Sequence, residues 1–167
     1  TTLEDVLVPV FQKFGKYERV SEAPFRHIPF NEAMERYGSD KPDLRFGMEF
    51  ADLTDLAKGH GFPVFDDAEY VVGFAATGCA GYTRKGLVWI RVEEGGVKSS
   101  VDKFYSPDQV KAMADKAGAE AGDLVLILCG AKFKALTQLC ALRLEVAERL
   151  GLRDPKKFAP LWVVDFP

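Results

Sequence analysis

The spacing of apolar positions changes near residue 40, from a helical repeat to a pattern typical of strands. In the first 14 residues it follows one helix face, at Leu3, Val6, Leu7, Val10, Phe11 and Phe14. Thr1 and Glu4 are spaced for a capping box, whereas Pro9 predicts either a kink near residues 5–9 or a helix that begins only there. A second, short helix is predicted at residues 31–37, and Gly38 is placed to end it in a left-handed conformation.

From residue 48 onward the pattern predicts mainly strands, at residues 48–53, 70–76, 87–92, 97–105 and 124–129. Residues 70–76 alternate large side chains, which indicates a half-buried strand with Gly73 as a possible bulge. Glu93-Glu94-Gly95-Gly96 is typical of a hairpin turn. Residues 124–129 are apolar at every position, which indicates a central strand. Residues 15–29 read as a connector, and Thr54 is expected to cap one helical turn at residues 54–58.

Two longer helices complete the pattern. Ser106, Pro107 and Gln109 have the types and spacing of a helix start, and the apolar face that follows ends at Gly118. A second helix is predicted from residue 132 to 150, before Gly151. The order of strands and helices predicts an α+β fold: a two-layer antiparallel sheet with helices on one face, preceded by a helical N-terminal flank.

Composition narrows the classes of function. The hydrophobic content of 47% is that of a globular protein, and the net charge of −3 gives no bulk attraction to nucleic acid or to an anionic membrane. Contact with a polyanion would therefore need a local basic patch. The three cysteines lack metal-binding spacing, which favours reduced thiols in a cytoplasmic protein. No apolar run is long enough to predict membrane insertion.

Residues 37–46, Tyr-Gly-Ser-Asp-Lys-Pro-Asp-Leu-Arg-Phe, separate the helical part from the strands. Pro42 opposes helix, while Ser39 and Asp43 can close local turns with their side chains. Preceded by Glu-Ala-Met-Glu-Arg, this stretch closely resembles the segment that leads out of the class II catalytic body of bacterial-type aspartyl-tRNA synthetases into their inserted GAD domain. The final residues, Leu-Trp-Val-Val-Asp-Phe-Pro, resemble the segment that returns to the catalytic sheet.

The resemblance covers nearly the whole chain and implies three parts: residues 1–62 from the catalytic body, a DCoH-like GAD domain at 63–158, and a returning strand at 159–167. We therefore expect a piece of a larger protein. The parent would be a cytoplasmic homodimer that joins aspartate to tRNA using ATP and Mg²⁺. The GAD domain would support binding of the tRNA acceptor arm or serve as an architectural spacer. The alternative is a tRNA-binding GAD module of an amidotransferase subunit, in which this domain is also found.

The residues that carry catalysis in class II synthetases have no counterpart here. The second family motif needs Arg-x-Glu, but Arg26-His27-Ile28 lacks the glutamate, and the glycine-rich third motif with its arginine does not occur. Cys79 has no paired base. We therefore expect no catalytic residue, metal site or cofactor in this segment, which should be catalytically silent alone.

Two basic features remain as candidate sites. Arg143 falls on the apolar face of the last predicted helix, so it must extend to solvent, pair within the domain, or contact the catalytic body or an RNA phosphate. The second feature is a set that would lie close together in the sheet, as a solvated edge or as a tRNA contact, at Arg84, Lys85, Arg91, Lys98 and Lys103.

The chain departs from the family where Lys85 joins Gly86 directly, because similar synthetases have a helix and a loop at this point. Loss of the helix would leave apolar sheet surface around Val72, Phe74 or Trp89 less covered. The other interpretation, which we favour, is that residues are absent from this sequence. Loss of a covering helix would expose more apolar surface than a small domain can readily tolerate.

Overall fold

The computed structural model describes residues 2–82 and 87–167. In chain order, the elements of these residues are α1 Thr2–Phe14, β1 Arg19–Val20, β2 Arg26–Pro29, α2 Phe30–Tyr37, β3 Ala51–Asp52, α3 Thr54–Ala57, α4 Pro63–Asp66, β4 Tyr70–Ala76, β5 Val88–Glu93, β6 Gly96–Ser99, α5 Pro107–Lys116, β7 Leu124–Gly130, α6 Lys132–Arg149, β8 Lys157–Phe158 and β9 Leu161–Val164.

The main sheet of the described residues has the strand order β3-β4-β7-β5-β6, with every neighbouring pair antiparallel. Strand β7 pairs with β4 on one side and β5 on the other, which confirms the central strand predicted from its apolar residues. Burial on both faces explains why neither face of β7 is polar.

Helices pack against both faces of this sheet. Helix α6 covers β4 and β7 on one face, and the core there includes Val72, Phe74, Leu126 and Leu139. Helices α3 and α5 lie on the other face, over a second core that includes Val71, Ile90, Val125 and Met113. The predicted α+β class and antiparallel sheet are confirmed. The helical cover is more complete than the predicted single face, because β4 and β7 are apolar on both sides.

Strand β4 has the predicted bounds but is buried along its whole length, and the predicted bulge at Gly73 is wrong. Gly73 pairs in regular register with Ile127 of β7 and with Ala51 of β3. A Cβ atom at this position would lie 2.9 Å from the carbonyl oxygen of Leu126. The glycine therefore permits close approach within a regular ladder.

The sequence predicted the ends of the helices more reliably than the bounds of the strands. The capping box of Ser106 and Gln109 forms at α5, and the N–H of Gly38 donates to the carbonyl of Met34 to end α2. Helix α1 runs through Pro9 without a break, so the alternative start at Pro9 is wrong. Thr1, the predicted cap of α1, lies outside the described residues.

Three local predictions need correction. The third strand ends at Ser99 rather than residue 105, because Asp102 accepts the backbone N–H of Ser99 and turns the chain. Only Ala51 and Asp52 of the predicted strand 48–53 pair in the sheet. Thr54 is not a cap: the Asp52 carboxylate accepts its N–H, and its hydroxyl bonds to the backbone of Val71.

The connector at residues 15–29 contains two short strands that the sequence did not indicate. Strand β1 pairs in parallel with β8, and β2 pairs in parallel with β9. Ile28 of β2 is buried with Tyr37 in a third core, and the partly buried Leu161 and Val163 of β9 pack against it. Their partners lie more than 100 positions away in sequence, so no local pattern could reveal these pairs.

Candidate functional site

Three of the five basic candidates of the sequence lie within the described residues. Arg84 and Lys85, together with the junction between Lys85 and Gly86, lie outside the described residues. Arg91 and Lys98 are directly opposite each other on β5 and β6. Lys103 is exposed in the turn that follows β6.

Arg91 and Lys98 share one carboxylate. Glu93 lies 3.7 Å from Nη1 of Arg91 and 3.2 Å from Nζ of Lys98. The Lys98 side chain is 63% exposed and that of Arg91 is 26% exposed. The Arg91 guanidinium also lies over the ring of Trp89, 5.5 Å from its centroid. The ammonium of Lys98 is the exposed cation of this pair and is accessible to a phosphate.

An apolar groove with a volume of about 470 Å³ lies between α6 and the start of β7. Its lining includes Tyr82, Leu87, Leu124, Leu126, Leu142 and Val146. Val72 and Phe74, where less cover was expected if a helix was lost, are fully buried. Trp89 is half-buried. Tyr82 and Leu87, which border the undescribed segment 83–86, both line the groove.

Arg143 of α6 is fully buried, and its contacts lie in the segment before β3. Its Nε and Nη2 donate to the backbone carbonyls of Asp43, Phe46, Gly47 and Met48 at 2.7–3.2 Å. The guanidinium also lies over the rings of Phe46 and Tyr37, with centroid distances of 4.2 and 5.1 Å. Burial lowers the pKa of Arg143 below the ordinary arginine value. Because the guanidinium of Arg143 is fully buried, it is not accessible to an RNA phosphate.

Two further arginines link the two segments that connect the flank to the main sheet, one before β3 and one after α6. We call Asp43, Arg45, Arg153 and Asp154 the neck. Arg45 donates to both oxygens of Asp43 at 2.9 and 2.7 Å and to the carbonyl of Asp154 at 2.8 Å. Arg153 lies 3.4 Å from Asp43. Burial alone would raise the pKa of Asp43, but hydrogen bonds from the two arginines lower it below its usual value.

The sequence suggested Asp43 only as a turn residue. That prediction is confirmed, because its carboxylate accepts the backbone N–H of Arg45. Its contact with Arg153 crosses 110 positions of sequence, and no local signal could have indicated it.

The described part of the chain shows neither a reactive thiol nor a metal centre. Burial raises the pKa of the Cys79, Cys129 and Cys140 thiols, so they are protonated and poorly reactive near neutral pH. The described residues contain no group of three or more His, Cys, Asp or Glu side chains placed to hold a metal ion. None of the described helices has the length and apolar character needed to cross a membrane.

Comparisons with known proteins match the chain along its full length. Residues 1–167 match the family described as tRNA synthetases class II (D, K and N). The aspartate–tRNA ligase of Phocaeicola vulgatus is 50% identical over 186 residues, covering 100% of this chain and 31% of the relative. The ligase of Bacteroides fragilis is 48% identical over 186 residues, with 100% and 32% covered, and that of Porphyromonas gingivalis is 47% identical, with 100% and 31% covered.

The chain spans about a third of the length of these curated relatives. The alignments cover 186 residues, whereas this chain has 167. The relatives therefore contain additional residues within the aligned span.

Proposed function

The chain belongs to the class II tRNA synthetases of the D, K and N group, and we propose that it is a segment of an aspartate–tRNA ligase that contains the inserted GAD domain. We assign residues 63–158 to that domain and the flanks 1–62 and 159–167 to the catalytic body. Strand β3 and helix α3 of the first flank nevertheless pair or pack with the main sheet. The parent joins aspartate to tRNA with ATP and Mg²⁺ and acts as a homodimer. The match to the ligases extends through both flanks, which supports this function over an amidotransferase module.

The inserted domain meets tRNA through backbone phosphates on the β5–β6 side of the sheet. The observation that carries this proposal is the pairing of Arg91 with Lys98 around a single carboxylate, with Lys98 exposed. Phosphate contacts position a protein on RNA without reading its sequence. The domain thus adds affinity for the acceptor arm, and specificity comes from other parts of the enzyme.

Lys98→Ala in the full-length ligase is expected to weaken tRNA binding about twofold to fivefold at low salt, the range of an exposed ion pair. It should also make the slope of log K against log salt concentration shallower, by about the amount that one phosphate contact contributes. The measurements are the KM for tRNA and its dependence on salt, with aspartate-dependent pyrophosphate exchange to verify adenylate formation.

Lys111→Ala is the matched control. Its side chain is 62% exposed and pairs with Asp115, but it lies on α5 across the sheet. Equal effects of the two substitutions, or an unchanged KM in Lys98→Ala, would favour the architectural spacer over the tRNA contact.

The 167-residue chain alone is expected to form no aspartyl-adenylate, because it lacks both phosphate-binding arginine motifs of the family. Pyrophosphate exchange with aspartate and ATP measures this directly. The full-length ligase, assayed in parallel, shows that the reagents are active. Exchange by the short chain above the level without aspartate would contradict the assignment of catalysis to the rest of the protein.

A further inference from the structure

Arg143 is part of α6, yet the backbone carbonyls that accept from it belong to residues 43–48, ahead of the main sheet. Among the residues that the structure describes, no carboxylate forms an ion pair with it. A buried arginine in a core is normally matched by an acid, because the charge is costly to bury alone. Here four carbonyl groups and two aromatic rings replace the acid.

We propose that Arg143 is an interdomain clamp, which fixes the inserted domain to the flank by holding residues 43–48 around its guanidinium. The clamp acts through the backbone of the incoming connection. It rests on the proposed division into flank and inserted domain, but it does not involve tRNA binding.

The backbone around the guanidinium supports a clamp rather than simple packing. Met48 has φ 63°, a left-handed conformation that side chains other than glycine rarely adopt, and such strain persists only where surrounding contacts impose it. Gly47 and Met48 both direct their carbonyls at Arg143. Turning these carbonyls away would leave the buried charge without acceptors, so the guanidinium and the strained segment stabilise each other.

The clamp lies next to the contacts that link the incoming and outgoing connections. Its contact with the carbonyl of Asp43 places it beside the neck, where Arg45 joins Asp43 to Asp154 of the outgoing connection. Tyr37, whose ring faces Arg143, is buried in the core shared by β2 and β9. Arg143 therefore contacts the core of the flank and the core of the inserted domain at once.

The test is hydrogen–deuterium exchange of the 167-residue chain with Arg143→Met, which keeps an unbranched apolar side chain and removes every donor. We expect amides of residues 43–50 to exchange at least about tenfold faster, since several charged hydrogen bonds are lost, while amides of β4 and β7 stay protected. The control is Arg149→Met on the same helix, whose side chain is 67% exposed. It should leave exchange of residues 43–50 unchanged.

Phe46→Leu supplies a second variant in case Arg143→Met does not fold. It removes a ring from the guanidinium while leaving α6 intact, and faster exchange confined to residues 43–50 is again expected. Unchanged exchange there would overturn the clamp. Equal loss of protection in β4, β7 and residues 43–50 would also overturn it, because Arg143 would then be an ordinary part of one core.

Discussion

Gly38→Ala is expected to lower the free energy of unfolding by about 2–5 kcal/mol, the sum of a left-handed alanine and of overpacking. Gly38 ends α2 with φ 69°. A Cβ atom there would lie 2.2 Å from the carbonyl oxygen of Leu136 and 2.9 Å from its carbonyl carbon, both in the backbone of α6. Because that backbone is fixed within a long helix, the helix and the turn must separate.

Gly118→Ala is the matched control, because Gly118 also follows a helix and has φ 68°, but nothing lies within 4 Å of its added Cβ. Only the conformational cost of about 1–2 kcal/mol should remain. Urea denaturation followed by far-UV circular dichroism measures both. Equal losses would show that contact between α2 and α6 does not depend on Gly38.

Local signals were sufficient to predict the best-defined elements. Ser106, Pro107 and Gln109 predicted the start of α5, since the capping box needs only neighbours in sequence. The unbroken apolar run predicted β7, because burial on both faces leaves no polar positions. Gly151 ended α6 as expected, with φ 69°.

Contacts between distant residues could not be predicted in this way. Strands β1 and β2 form only by pairing with β8 and β9, and their own residues show no strand pattern. Four of the apolar side chains of α1, Leu3, Val6, Val10 and Phe14, are exposed although their spacing predicted a buried face. Periodicity shows which residues share a face, but it does not show what covers that face.

The candidate functional residues also differ in how far the sequence could predict their contacts. The hairpin turn at residues 93–96 places Arg91 opposite Lys98, so this pair follows from local register. The sequence also singled out Arg143 as a buried cation that needs partners. The sequence could not predict those partners. Every residue has a backbone carbonyl, and only the fold brings those of residues 43–48 to Arg143.

Phe50→Ala is expected to lower the free energy of unfolding of the main sheet by about 3–5 kcal/mol, the usual cost of removing a buried phenylalanine ring. Phe50 lies within residues 1–62, which the sequence assigned to the catalytic body. Its side chain is nevertheless 9% exposed in the core beneath α6, and its ring stacks on Phe74 of β4 with centroids 6.0 Å apart. The substitution therefore tests where the inserted domain begins.

The measurement is urea denaturation followed by fluorescence of Trp89, which lies in β5, in a Trp162→Phe background that removes the other tryptophan. Phe14→Ala is the control, since Phe14 is 75% exposed and its loss should change stability by less than about 0.5 kcal/mol. A large loss confined to Phe50→Ala would place the start of the domain before residue 50, because a ring outside the cooperative unit cannot affect the unfolding of β5. If Trp89 reports the same stability in both variants, Phe50 lies outside the cooperative unit of the sheet, and its stacking on Phe74 contributes little to stability.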